Sequence, residues 1–318
     1  MRQVEGTPCS RLGAMGFSES DVISMLNNHF ATSDPRVEVG IGDDAAVITG
    51  SPRQVITTDM AVESVHFKRQ WSTAFDIGRK VTAANLADIL AMGAKPDYLV
   101  VALSINAATE FSWLEDLARG IAHEAKLGGA HVVGGDLTKG EAITISIAAV
   151  GSVHQPILRS GAKVGDSIYI SALPGWSAAG LALLLSNQKA DTEIEKRAVK
   201  LFQAPSIDYA YNSSNANSLC DLSDALITQA EQIANASEVE LAFDPELFRD
   251  CDGFQELREL ASQMNADVYQ WIFAGGEDHV FLSTGTDLPG FKVGEVRSGE
   301  GVSGLEMKKA PDTWRHFN

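Results

Sequence analysis

The stretch Asp76–Met92, DIGRKVTAANLADILAM, followed by Asp97–Ile105, DYLVVALSI, and Phe111–Lys126, FSWLEDLARGIAHEAK, decides the fold class. In the first segment Ile77, Val81, Ala84 and Ala91 fall near one face at helical spacing, which predicts a long helix. The second is a continuous apolar run of strand length and reads as a buried strand. In the third, Trp113, Leu117 and Ile121 recur every fourth residue, which predicts a second helix with those residues on its core side. Two strands follow, HVVGGD (131–136) and AITISIAAVGSV (142–153). Helices interspersed among strands make this half of the chain α/β.

Upstream, a helix is expected from an N-cap at Ser18 to about Phe30, with Asp21 in its first turn and Phe17 against Val22 as a hydrophobic staple. A Gly-Asp loop, GIGDDAAVI (40–48), then leads into two β-rich runs, AAVIT and QVITTD. Downstream, Gln155-Pro156 marks a boundary. Beyond it come a strand at SIYISA (167–172), a helix after PGWSAAG (174–180), and helices at Glu193–Phe202 and Pro205–Tyr211. SLCD (218–221) ends a short strand, LSDALITQAEQIANA (222–236) opens a helix with Asp221 and Asp224 at its N-terminus, and WIFAGGEDHVFLST (271–284) places a Gly-Gly turn before a strand. The reading divides the chain into a lead segment 1–16, a unit 17–155 and a unit 156–318. The lead, MRQVEGTPCSRLGAMG, reads as a disordered extension or as a misjudged start with Met15 as the true one.

Of 318 residues, 45% are hydrophobic and 21% charged, enough for a sizeable core. The formal net charge of −17 repels nucleic-acid phosphates and anionic lipid, so neither is an expected partner. A phosphorylated substrate fits such a surface only with metal ions between. Cys9, Cys220 and Cys251 are widely spaced and form no zinc or disulfide pattern, which suits a reducing compartment. No apolar run has the length of a membrane span or a signal-peptide core. The expected location is the cytoplasm.

Acidic residues gather at strand ends, glycine turns and helix starts: Asp43 and Asp44 in GIGDD, Asp59 in TTD, Asp88 in NLAD, Asp136 in GGD, Asp221 and Asp224 in DLSD, and Glu277 and Asp278 in GGED. A lone Asp in such a place is a cap or turn residue. Glycine beside acid three times over is a different pattern, since glycine permits close backbone approach to a ligand. Carboxylates that converge repel one another unless a cation lies between them. Hard oxygen ligands suit Mg²⁺, and Thr57, Thr58 and Ser223 add hydroxyls beside them. Asp88 shares a helix face with Asn85. It points inward, where an isolated carboxylate is costly unless paired or metal-bound, or else lies on a solvated helix edge.

Several near-motifs fail. GIGDDA precedes a β-favouring run and carries two acids, so it is no dinucleotide fingerprint. GWSAA lacks the last glycine of a nucleophile elbow and reads as a helix start whose free amides suit an anion. No G-x-x-x-x-G-K-[ST], protein-kinase motif set or H-E-x-x-H is present.

GIGDDAAV, TTDMAVESVHF, AANLADILAMGAKP, GGDLTKG, LRSGAKVGDSIYISALPGWSAAGLALL, DLSDALI and AGGEDHVF, in that order from about Phe17 to Phe317, resemble the thiamine-monophosphate kinase family. That family lies in the superfamily of aminoimidazole ribonucleotide synthetase, selenophosphate synthetase and a hydrogenase-maturation factor. The resemblance implies an N-terminal α/β domain whose strands form a barrel in a homodimer, and a C-terminal α+β domain. It implies Mg²⁺ ligands at Asp44, Thr57, Thr58, Asp59, Asp88, Asp136, Asp221 and Asp224. It implies ATP contacts at Thr57, Gly135, Asp136, Arg159 and Ser223, and substrate contacts at His66, Glu277 and Trp314. The expected reaction is ATP-dependent phosphorylation of thiamine monophosphate to thiamine diphosphate, with no general base. Another ATP-using member of the superfamily, or a regulator that only binds nucleotide and metal, remains the alternative. Trp314, Ala225 and His279 depart from the family's usual tyrosine, glycine and aromatic at those places.

Overall fold

The computed structural model describes residues 19–39, 47–50, 53–186 and 189–305. The expectations for the lead segment, the Ser18 cap, the GIGDD loop with Asp44, and Trp314 lie outside the described residues. The first half runs α1 (Glu19–Phe30), β1 (Val37–Val39), β2 (Val47–Ile48), β3 (Gln54–Val62), α2 (Ala74–Ala91), β4 (Lys95–Ile105), α3 (Phe111–Leu127), β5 (His131–Lys139) and β6 (Thr144–Ser152). Four of these strands form one sheet in the order β3-β6-β4-β5, with β4 and β5 parallel and the other pairs antiparallel.

Alternation along β6 shows how the sequence sets the sheet's two faces. Ile145, Ile147 and Ala149 are buried, and the residues between them are only half-buried. The buried row packs with Leu99 and Val101 of β4 against Ile77, Val81, Leu86 and Ile89 of α2 and Leu117 and Ile121 of α3. Helix α2 starts where Thr73 caps it: the Thr73 hydroxyl oxygen accepts from the Asp76 amide at 3.1 Å. Helices α2 and α3 cross at Gly78 and Gly120. A Cβ at Gly120 would run into the Phe75 carbonyl, and one at Gly78 into the Leu117 carbonyl.

The second half contributes β7 (Ser167–Ile170), α4 (Trp176–Leu185), α5 (Glu193–Gln203), β8 (Ala216–Asp221), α6 (Leu226–Ser237), β9 (Glu240–Phe243), α7 (Phe254–Gln263), α8 (Val268–Ala274), β10 (Phe281–Gly285), β11 (Phe291–Arg297) and β12 (Gly301–Ser303). Its sheet has the order β12-β9-β11-β7-β10-β8, antiparallel except for β12 against β9. The core between this sheet and its helices holds Ile168, Ile170, Trp176, Leu226, Phe248, Phe254 and Phe273. The whole is a two-domain α/β protein. Helix α2 also meets the second half, its Ala83, Ala87 and Ala91 packing with Ile207, Leu219 and Phe281.

Two expectations are corrected. Pro205–Tyr211 forms no helix. Its alternate residues Ile207, Tyr209 and Tyr211 instead pack on the alanine stripe of α2, and the Tyr209 hydroxyl donates to Glu124 at 2.7 Å. These tertiary contacts override local preference. Helix α6 begins at Leu226, so Asp221 is the last residue of β8 and Asp224 sits in the intervening turn. Leu222 and Ala225 of that turn are both 1% exposed, which anchors it to the core below.

The glycine crossing gives the first prediction. Alanine is favoured over glycine in a helix by about 1 kcal/mol, yet overpacking costs about 1–3 kcal/mol or more, and here the obstacle is backbone. Gly120→Ala should therefore lower the melting temperature by several degrees in calorimetry; an unchanged or higher value would mean that α2 and α3 separate freely.

Candidate active site

Three carboxylates from three elements face one another where the halves meet. Asp59 lies in the middle of β3, its backbone N–H donating to Asn85 Oδ1 at 3.1 Å. Asn85 is fully buried, and its Nδ2 donates to the Val81 carbonyl at 2.9 Å. Asp88, one turn further along α2, accepts a 2.7 Å hydrogen bond from the Thr57 hydroxyl. Asp221, 2% exposed, ends β8 and lies 2.9 Å from His279 Nδ1. Asp88 therefore points inward, and Asn85, on the same face, holds the neighbouring strand.

Burial and mutual repulsion shape the electrostatics. Burial, with the charges of Asp221 and Asp59 added, pushes the Asp88 carboxyl up to about 6; Thr57 and His279 pull the other way. Burial also raises Asp59, reinforced by Asp221 and opposed by His279 and His66. Burial resists protonation of His279, but the hydrogen bond and charge of Asp221 outweigh it and raise its pKa.

The DLSD and GGEDH segments are zipped together. The Glu277 amide donates to the Ser223 carbonyl at 2.7 Å and the His279 amide to Leu222 at 3.0 Å. Gly276 lies so close to the Asp224 carbonyl that a Cβ would not fit. Glu277 and His279 both take left-handed backbone conformations, φ +64° and +52°, which for non-glycine residues mark strain held by surrounding contacts. Buried Asp278 accepts from the Gly175 and Ser177 amides at 2.7 and 2.9 Å. The amides at the start of α4, which the sequence leaves open to an anion, are thus taken by the protein itself. The Glu277 side chain pairs with Lys80 of α2 at 2.8 Å.

The structure brings Thr57, Asp59, Asp88 and Asp221 together. His66 is close enough to lower the Asp59 pKa, and its Nδ1 accepts from the Val62 amide at 3.0 Å. Arg159 is close enough to Cys220 to oppose the rise that burial gives its thiol pKa, and the Ser223 hydroxyl accepts from Gln229 at 3.2 Å. Gly135 and Asp136 are exposed on β5, and Asp224 is exposed in its turn. Thr58 lies on the sheet face away from α2, donating to the Ile147 carbonyl at 3.0 Å. Asp136 pairs with Ala102, which pairs with Ser146, which pairs with Met60; that row, too, faces away from α2. Asp59 and Asp136 sit on opposite edge strands, three spacings or roughly 14 Å apart. Among the described residues, no three His, Cys, Asp or Glu side chains close tightly enough to hold a metal ion by themselves.

Asp59, Asp88 and Asp136 stand within elements, not at strand ends or helix starts as the sequence suggests. Lys80 escapes the sequence reading altogether. Its signal is a lysine on the face of α2 that it shares with Asp88, two turns on.

Asp88 provides a direct test of the crowding. Asparagine keeps an acceptor for Thr57 and removes a repelled charge. Each pKa unit is 1.36 kcal/mol, so without divalent cations Asp88→Asn should stabilise the fold by roughly 1–3 kcal/mol. The rise in melting temperature on adding Mg²⁺ should shrink relative to the unaltered protein. A destabilised variant with an undiminished Mg²⁺ response would refute the arrangement.

Residues 42–153 match the family model for AIR synthase related protein, N-terminal domain. The chain is 36% identical over 255 residues to thiamine-monophosphate kinase of Mycobacterium tuberculosis, covering 78% of this chain and 74% of that protein. It is 35% identical over 296 residues to the enzyme of the same name from Corynebacterium glutamicum, covering 87% and 88%. A solved structure of AaThiL complexed with AMPPCP and TMP superposes with a TM-score of 0.78 at 29% identity, over 94% of this chain and 97% of that chain. With a shared architecture and this identity over most of its length, the chain belongs to the thiamine-monophosphate kinase family.

Proposed function

We propose that the protein transfers the γ-phosphoryl group of ATP to the phosphate of thiamine monophosphate, yielding thiamine diphosphate and ADP, and that it does so with Mg²⁺. The observation that carries this reading is the convergence of Asp59, Asp88 and Asp221 from β3, α2 and β8 on one desolvated, mutually repelling centre. Such a centre suits a hard divalent cation, and it suits Mg²⁺ in particular, which takes one or two carboxylates and completes its shell with water and phosphate oxygens. When bound, Mg²⁺ neutralises charge on the phosphates and on the transferring group.

The chain's own residues set the geometry. Asn85 fixes the backbone of Asp59, Thr57 orients Asp88, and His279 holds one oxygen of Asp221. Arg159 is assigned to fork onto phosphate, with Gly135 and Ser223 as further ATP contacts. Asp224, with Asp44, extends the ligand set along the triphosphate, whereas Thr58 and Asp136, which face away from α2, stand apart from this centre. His66, Glu277 and Trp314 receive the thiamine end. The acceptor is a phosphate oxygen, largely ionised at neutral pH because its second pKa lies near 6; the reaction therefore requires no general base from the protein.

The same reading makes the protein a homodimer. The face of the first sheet that α2 does not cover exposes Ile56 at 70%, Met60 at 58% and Val100 at 41%. Among the described residues, β3 is an unpaired edge of that sheet. An open strand edge and apolar face of this kind invite pairing with a second sheet. Residues 17–155 then form the nucleotide-binding and dimerisation unit and 156–318 the α+β unit. No helix among the described residues is long and apolar enough to cross a membrane, and a soluble biosynthetic role in the cytoplasm is part of the proposal.

Purified protein with ATP and Mg²⁺ should release ADP with thiamine monophosphate and form the diphosphate. Free thiamine, whose acceptor is an un-ionised alcohol, should be turned over far more slowly; a preference for thiamine would overturn the reaction assigned. In sedimentation velocity the protein should run as a dimer, and Met60→Glu should shift it toward monomer with loss of turnover. A monomeric yet fully active protein would remove the dimer from the proposal.

A further inference from the structure

Lys80 lies in the middle of α2 and is only 9% exposed. A buried ammonium is costly unless its donors are satisfied. Lys80 Nζ donates to Glu277 Oε2 at 2.8 Å and to the Phe202 carbonyl at 3.0 Å. It also lies 4.1 Å from the centroid of the Phe202 ring, and this last contact adds a cation–π attraction. Phe202 is set in turn by Trp71, edge-on at 6.1 Å between ring centroids, and the Gln203 amide donates to the Trp71 carbonyl. One side chain therefore ties α2 to the end of α5 and to the GGED loop.

The partner is the notable part. The backbone of Glu277 is already fixed by its amide bond to Ser223 and by the tight approach of Gly276 to Asp224. What remains free is the carboxylate, and Lys80 takes one of its oxygens. Among the described residues the other oxygen accepts no hydrogen bond, while the Glu277 side chain is 39% exposed. The result is a half-open carboxylate held at one end and offered at the other. A lysine serving only to join the two halves would gain more from a fully buried partner.

We infer that Lys80 is a positioning residue for substrate recognition: it fixes Glu277 so that one carboxylate oxygen is presented to the cationic part of the substrate. The inference rests on the reading of Glu277 as a contact of thiamine monophosphate. Lys80 touches neither substrate nor reacting atoms. It acts by removing the rotamer freedom that Glu277 would otherwise lose on binding and by keeping the carboxylate aimed.

Steady-state kinetics on the purified enzyme with Mg²⁺, varying thiamine monophosphate and ATP separately, test this. Lys80→Met should raise KM for thiamine monophosphate by about 5- to 20-fold while KM for ATP and kcat each change less than about twofold, the pattern of lost uniform binding. Glu277→Gln should show the same selective rise. In the double variant the second substitution should add little, because residues in one ion pair couple. Lys80→Gln, which keeps an amide donor for the Phe202 carbonyl, replaces Lys80→Met if melting shows that the latter does not fold. Equal rises in both Michaelis constants, a fall in kcat alone, or full additivity with Glu277→Gln would make Lys80 a structural tie and overturn the inference. An active wild-type enzyme with a silent Lys80→Met overturns this inference alone, whereas a wild-type protein inert toward thiamine monophosphate removes the proposed function and this inference with it.

Discussion

Everything at the centre of this molecule depends on the burial of one helix from three sides. Helix α2 meets the first sheet with Ile77, Val81, Leu86 and Ile89, meets α3 across Gly78 and Gly120, and meets the second half through Ala83, Ala87 and Ala91. Small side chains on the third side allow the strand β8 and the segment after α5 to come close. That close approach carries Asp221 to within electrostatic reach of Asp88. It also lets Lys80 reach the GGED loop from the other half. A bulkier residue in the alanine stripe would separate the carboxylates before it disturbed either core.

The polar residues of α2 are spaced to use this position. Lys80, Ala84 and Asp88 follow one another at four-residue intervals and so share a face. Asn85 lies beside them and holds β3 through the Asp59 amide. The helix thus presents a cation two turns from an anion along one groove, the cation engaged with a loop carboxylate and the anion with a threonine. A cationic ring and an anionic phosphate tail on one substrate require opposite charges at the two ends of their site. On the proposed function, the stripe supplies a carboxylate held by Lys80 at one end and the crowded acid centre of Asp59, Asp88 and Asp221 at the other.

Much of this was legible in the chain. Apolar periodicity located α2, β4 and α3, and glycine beside acid marked the GGED loop that meets DLSD, whereas GGD lies within β5. Three features were not legible. The segment 205–211 has residues compatible with a helix, but its tyrosines are drawn out by partners distant in sequence, Glu124 and Ser283. The alanines of α2 read as helix formers, and nothing local distinguishes an alanine that packs a domain contact from one that simply favours a helix. The inward or outward direction of Thr58 and Asp136 follows from strand register, which requires knowing which residues pair across the sheet. The resemblance placed them all in one set; the pleat puts Thr57 and Asp59 on the face toward α2, and Thr58 and Asp136 on the other.

His279 shows how a buried polar ring is put to use beside the acid centre. Here the imidazole is 6% exposed and spends Nδ1 on Asp221. One oxygen of Asp221 is thereby engaged, as Lys80 engages one oxygen of Glu277. A hydrogen bond from an outer residue orients a ligating carboxylate and tunes its charge. The imidazole also moderates the repulsion at the centre, since its charge lowers the pKa of both Asp59 and Asp88. In a chain of net charge −17, a centre that must collect further anions gains from such internal compensation. It keeps the acids crowded enough to favour a cation without forcing the loops that carry them apart.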